Sequence, residues 1–425
     1  MNRTTRTRRD VLAGGLLVAA ASGSLTATTP DLRGNAAPPG DEEYWESISR
    51  FYDISEDFIN LEYGNFGPVA RPVMAAYELR LQEVNRLGAY YARRRYPEDA
   101  NRLRGRVAAQ LRVDVDELTF TRGATEALQA LIGGYRNLKA GDAVLYADVD
   151  YDAMQTSMRW LTDRRGVEAI KIDLPLPATR QNLIDSYERA LLSHPNIRLL
   201  LLTHVSHRHG LVLPVKDIAA LARRRGVVTI LDAAHAWGQV PLDLHDLGVD
   251  CAGLNGHKWI GAPLGVGLLW IHRDRIVDFE NYMGTRDFPT REDVRDRIHT
   301  GTSNFAALLA LEDALVFHEA LGPRAKIDRL SHLRSRWIDR LRDVEHVELV
   351  TPSENQLAGA IGAFRLKGKS SITDNINIAA ALLDRHGVFT VHRAGLASGA
   401  CIRVTPHVFT SLKHLDQLIE GVLNL

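Results

Sequence analysis

Short apolar runs with strand character alternate along this chain with longer stretches of helical periodicity, and that alternation limits the possible folds more than any other feature. The runs cover residues 143–146, 199–203, 227–231 and 265–271, and the helical stretches cover 70–87, 102–111, 125–135 and 215–225. Strands that alternate with helices imply a parallel sheet covered on both faces, with ligands bound beyond the carboxyl ends of its strands. After about Thr302, a helical pattern over 306–321 leads into strand-like runs at 347–350, 362–366 and 400–404, which read as a separate, smaller α/β unit.

The 425 residues are 45% hydrophobic, enough for roughly two or three ordinary domains with real cores. Lys and Arg number 52, as do Asp and Glu, so no general basic field favours nucleic acid. Cys251 and Cys401 are too few for a disulfide framework and lack structural-zinc spacing.

The amino terminus carries Arg3, Arg6, Arg8 and Arg9 before its first acid, Asp10. A mild, Gly/Ala-rich apolar run follows, then Ser-, Thr- and Pro-rich sequence to Pro39. The run is too short for a stable membrane anchor and resembles a twin-arginine export signal, which implies use of the twin-arginine machinery and a periplasmic location. The expected organisation is a signal over 1–37, an N-terminal arm over 38–70, a large domain over 71–301 and a small domain over 302–425.

The most informative segment is Val228-Thr229-Ile230-Leu231-Asp232-Ala233-Ala234-His235, followed later by Asn255-Gly256-His257-Lys258-Trp259. A carboxylate at the end of a buried strand is costly without a cationic partner, so Asp232 asks for one. A lysine flanked by His257 and Trp259 sits where partial desolvation lowers its pKa and makes its amine nucleophilic. Together they suggest pyridoxal 5'-phosphate (PLP), with Lys258 as the Schiff-base lysine and Asp232 on the protonated ring nitrogen. Gly123-Ala124-Thr125 opens a helix after a strand-like run, and N–H groups at such a start bind phosphate well, a role that capping of the helix by Thr125 does not exclude.

The motifs Asp-Ala-Ala-His-Ala-Trp-Gly at 232–238, Gly-His-Lys-Trp at 256–259 and Gly-Ala-Pro-Leu-Gly-Val-Gly at 261–267 resemble those of the class V aminotransferases, fold-type I PLP enzymes. The resemblance implies a mostly parallel seven-stranded sheet between helices plus a smaller C-terminal α/β domain. It implies a phosphate cradle at Ala124 and Thr125, a phosphate-contacting His257, and Tyr151 stacked on the cofactor. His235 would contact the cofactor's phenolic oxygen. Thr302 would reach the phosphate of a neighbouring subunit, which implies a homodimer. Arg403 would clamp a substrate carboxylate, and Asn65 would also contact substrate. His207 stands where many relatives have asparagine, and a histidine there can titrate near neutrality.

Within the family the chain is similar to the isopenicillin N epimerase-like branch. The export signal, the 90–95 segment Tyr-Tyr-Ala-Arg-Arg-Arg and the 203–208 segment Thr-His-Val-Ser-His-Arg resemble periplasmic enzymes that convert a glutamate side group of pyoverdine-type siderophores to succinamide. That implies a small-molecule or peptidyl amine substrate. Rival readings are an epimerase-like racemase, a C–S lyase or cysteine desulfurase, and a non-catalytic amine binder on the same fold. Desulfurases need a loop cysteine upstream of the carboxylate-binding arginine, and residues 385–399 contain none. Metal binding by His204, His207 and His209 is disfavoured, because strand spacing projects them on different faces. Cys401 falls two residues before Arg403, facing the site or packed as a small core residue. Transamination, racemisation, elimination and oxidative decarboxylation share this apparatus, so these residues define a chemistry rather than one reaction.

Overall fold

The computed structural model describes residues 32–281, 293–299 and 301–425, so most of the expected signal lies outside the described residues. Among the described residues, eight strands precede residue 280: β1 (Ile59–Asn60), β2 (Leu118–Thr121), β3 (Ala143–Ala147), β4 (Glu168–Ile172), β5 (Ile197–Thr203), β6 (Val228–Ala233), β7 (Cys251–Asn255) and β8 (Gly267–Ile271). Strands β2 to β8 form one sheet in the order β2-β8-β7-β6-β5-β3-β4. Its neighbours pair in parallel except at β8, which runs antiparallel to both β7 and β2.

The apolar runs are buried on both faces, as continuous hydrophobic sequence requires. With a side-chain period of two, Leu200 and Leu202 of β5 enter one core with Leu231, while Leu199 and Leu201 enter the opposite core with Val228 and Ile230. Each fully buried leucine contributes about 1.5–3 kcal/mol. The helix Ala124–Gly134 covers the second face, where Gly253 lets it approach: a Cβ there would lie 2.7 Å from Leu128 Cγ.

The carboxyl-terminal unit holds β9 (Val347–Leu349), β10 (Gly362–Leu366), β11 (Val388–Phe389), β12 (Val391–Arg393) and β13 (Cys401–Val404). Four of these form an antiparallel sheet in the order β12-β13-β10-β9, a direction that the spacing of the runs does not determine. The helices Pro323–Leu341, Ile372–His386 and Leu412–Leu423 contribute to its core. Strand β11 instead pairs in parallel with β1, and Glu62 bridges to Thr405, so the segment around residue 60 is stitched to this unit. The ends of β5, β6 and β7 thereby meet β12, β13 and the start of the helix Ala124–Gly134 around one cavity. No helix among the described residues is long and apolar enough to cross a membrane.

Candidate active site

The cavity has a volume of about 1890 Å³, and every residue expected in the site lines it except Thr302. Thr302 is exposed in the turn before the helix Phe305–Leu309, while Arg297, Ile298 and His299 reach the cavity wall nearby.

Asp232 is 5% exposed near the end of β6. Its Oδ1 accepts the Ala234 N–H at 2.9 Å, and it forms no ion pair among the described residues. Burial pushes its pKa up to about 6. Behind it, Asp150 is fully buried, accepting the Thr203 hydroxyl at 2.6 Å and the Ala147 N–H at 2.7 Å, and burial raises it to about 7. A cationic ring nitrogen brought to Asp232 would supply the missing partner.

Lys258 follows β7 on a loop pressed against residues 64–67. A Cβ on Gly67 would lie 2.6 Å from the Lys258 carbonyl oxygen, so only glycine permits the approach. Lys258 Nζ donates to the carbonyls of Gly64 at 3.0 Å and Asn65 at 2.9 Å, and lies 3.3 Å from His235 Nε2. The Trp259 indole N–H, which can only donate, reaches His235 Nδ1 at 3.4 Å. His235 therefore carries its proton on Nε2 and donates it to Lys258. Two donated bonds and one accepted bond are the complete inventory of a neutral amine. The electrostatics agree: burial, then the Arg403 charge, lower Lys258 to about 7, opposed by Asp232 and Glu62. On the far side of the loop, buried Lys326 Nζ donates to the Trp259 carbonyl.

At the other end, a Cβ on Gly267 would fall 2.4 Å from Gly123 Cα, so two backbones touch beneath the helix start. The Ala124 N–H is already taken by Asn255 Oδ1 at 2.8 Å. Of the expected cradle, Thr125 is exposed on the cavity wall and His257 joins it. His257 Nδ1 lies 3.1 Å from the Val266 carbonyl, which leaves Nε2 for another partner. Burial and Lys258 lower its pKa to about 4, and a phosphate dianion at Nε2 would raise it. A helix N-terminus, a half-buried amine and a buried carboxylate on one cavity are the donor set that PLP requires, so the residues fit that group.

Tyr151 is 42% exposed and meets His207 edge-on, with ring centroids 5.2 Å apart. His207 does not titrate near neutrality: burial and the charges of Arg208, Arg403, Arg393 and Lys258 push it well below its ordinary value. His209 turns away to Ser206 at 3.2 Å, and His204 is buried, so only His207 of the three lines the cavity. Cys401 is fully buried off the cavity wall, with Sγ donating to the Arg208 carbonyl at 3.8 Å, and burial raises its thiol to about 11.

Arg403 is 1% exposed and already holds a carboxylate. Its Nε donates to Glu62 Oε2 at 3.0 Å, its Nη2 donates to Glu62 Oε1, and its Nη1 donates to the His207 carbonyl at 2.7 Å. Arg393 Nη2 donates to the same Glu62 Oε1 at 2.8 Å. Sequence reasoning missed Glu62, Arg393 and Asn255. A lone acid within Ile59-Asn60-Leu61-Glu62-Tyr63, otherwise apolar or uncharged, is the signal that could have revealed the first.

Known proteins resemble this chain along most of its length. Isopenicillin N epimerase of Amycolatopsis lactamdurans is 28% identical over 398 residues, covering 90% of this chain and 98% of its own. A cysteine desulfurase of Pectobacterium carotovorum is 28% identical over 343 residues, covering 75% of this chain and 80% of its own. Among solved structures, apo cysteine desulfurase from Thermococcus onnurineus superposes with a TM-score of 0.76 at 18% identity, covering 89% of this chain and 97% of that one. A variant of C-DES with glycine covalently linked to its PLP cofactor gives 0.75 at 20% identity, covering 89% and 99%. Both share the fold-type I arrangement, with its mixed seven-stranded sheet flanked by helices. The Aminotransferase class-V profile matches residues 67–409, a span that holds both Asp232 and Lys258, and the chain belongs to that family.

Proposed function

We propose that this protein is a PLP enzyme that acts on the amine of an amino-acid or peptidyl substrate. The observation that carries the reading is the placement of Lys258 Nζ, bonded to the Gly64 and Asn65 carbonyls and beside His235, on the same cavity as the buried Asp232 carboxylate. The cofactor is PLP, which when bound supplies an electron sink for cleavage of a bond at the amine-bearing carbon. Asp232 would keep the ring nitrogen protonated, while Thr125 and His257 would hold the phosphate and Tyr151 and His207 would contact the ring. His235 serves the phenolic oxygen. Lys258 would hold the cofactor and would take and return a proton at Nζ, with its base form favoured by burial. Thr302, exposed and away from its own cavity, suits a contact across a homodimer.

The finer reading is a periplasmic enzyme, exported folded by the twin-arginine route, that converts the glutamate side group of a pyoverdine-type siderophore peptide to succinamide, an oxidative decarboxylation in which dioxygen is the oxidant and carbon dioxide and water leave. The Arg8-Arg9 segment supports it, as does a cavity of about 1890 Å³, larger than the roughly 300–1,000 Å³ of drug-sized sites. An epimerase-like racemase is the second reading, favoured by the relative that spans 90% of the chain. A desulfurase is disfavoured, because Cys251 and Cys401 are buried and neither lines the cavity. Incubation of PLP-loaded protein with a siderophore precursor peptide, followed by mass spectrometry, tests the reading. The expected result is loss of mass at the glutamyl group with the wild type and none with Lys258→Ala. An unchanged peptide that emerges with inverted stereochemistry supports the racemase instead.

A further inference from the structure

The structure assigns to Glu62 the place of a resident carboxylate on Arg403, so that Arg403 does not recognise a substrate carboxylate and the site takes peptidyl amines as readily as free amino acids. The inference rests on the PLP-enzyme reading and narrows its substrate class.

Arg403 recognises carboxylates best through two parallel N–H bonds, and its Nε/Nη2 edge is spent on the two oxygens of Glu62. Its Nη1 is anchored on the His207 carbonyl. Glu62 is itself pinned: Arg393 holds Oε1 from the side, and the Glu62 N–H donates to Asn60 Oδ1 at 2.8 Å. Register explains the trio. Arg403 of β13 stands opposite Val391 of β12, so Arg393, two residues on, shares its face, and the bridge from Glu62 to Thr405 brings the acid alongside. Gly64 completes the packing, since a Cβ there would lie 3.2 Å from Arg403 Cζ.

The rest of the wall follows the same rule. Arg208 pairs with Asp152 at 2.7 Å, Arg122 pairs with Glu126 at 2.6 Å, and Arg297 is engaged by the Ile276 carbonyl and Asn281. Among the described residues, the arginines of the cavity thus serve this chain's own acceptors. A substrate carboxylate that displaced Glu62 would leave one buried acid shared with Arg393 alone, which is costly. Selection must therefore come from the body of the substrate in the large cavity.

The test compares L-glutamate with its α-amide on PLP-loaded protein, reading binding constants from the change in cofactor absorbance. The wild type is expected to favour the acid by less than about fivefold, because the carboxylate gains no charge-assisted pair. Glu62→Gln, which removes the resident charge and one of the two acceptor oxygens from the fork, is expected to favour the acid by about tenfold or more. A wild-type preference above about fivefold overturns the inference, and this arm stands even if the variant fails to fold. A folded Glu62→Gln protein whose preference does not rise, or that fails to bind glutamate, overturns it as well. Failure of the wild type to load PLP on Lys258 would instead refute the reading beneath it.

Discussion

Replacing Trp259 with Phe tests the chain of hydrogen bonds that sets the state of Lys258. The indole N–H fixes the His235 proton on Nε2, and that proton is what a neutral Lys258 accepts. Without the indole, the His235 tautomers exchange, and the form with a bare Nε2 accepts from a charged Lys258 instead. The Trp259–His235 bond is long at 3.4 Å, so its loss is placed within the ordinary net range of about 0.5–1.5 kcal/mol. At 1.36 kcal/mol per pKa unit, about 1 kcal/mol raises the midpoint of Lys258 by about 0.7 from its value near 7. The assay follows the pH dependence of Lys258 modification by an amine-selective electrophile in the apoprotein, quantified by peptide mass spectrometry. A midpoint that stays in place or falls, in a variant that remains folded, would refute the tautomer argument.

Further outcomes follow from the same geometry. Cys401→Ala is expected to leave turnover within about twofold in a steady-state assay, whereas a desulfurase-type nucleophile would lose it entirely. Lys326 and Lys258 are both lowered by burial to about 7, so between about pH 7 and 10 the unfolded chain binds protons that the folded apoprotein does not, and their contribution makes stability rise with pH. Lys326→Met should flatten that rise by an amount on the order of a few kcal/mol, read from denaturant titrations at several pH values. Gly267→Ala places a methyl 2.4 Å from Gly123 Cα and is expected to cost about 3 kcal/mol and weaken PLP retention, measured by thermal melts with and without cofactor.

The parts of this protein that were legible in its sequence are those where one segment carries its own reason. The β6 strand announces itself as an apolar run, and Asp232 at its end is conspicuous because a buried acid needs a partner. Lys258 is readable from the glycine and aromatic neighbours that desolvate it. What could not be read depends on residues far apart in the chain. Glu62 and Arg403 are 341 positions apart, and only the pairing of the residue-60 segment with the carboxyl-terminal unit brings them together. The claim of Asn255 on the Ala124 N–H is likewise invisible until β7 lies beneath the helix. His207 shows the same limit in its charge state, because its burial and three of the four cationic groups that depress it, Arg403, Arg393 and Lys258, are set by the fold, and only Arg208 is its neighbour in sequence. The reversal of β8 has no signature either, since a fully buried strand reads the same in either direction.

The account depends most directly on a covalent attachment at one lysine. Borohydride reduction of the protein purified with its cofactor, followed by proteolysis and mass spectrometry, should place a single pyridoxyl-phosphate adduct on Lys258, and Lys258→Ala should show none. An adduct on another lysine, or its absence from a folded wild-type protein saturated with PLP, would contradict the central claim.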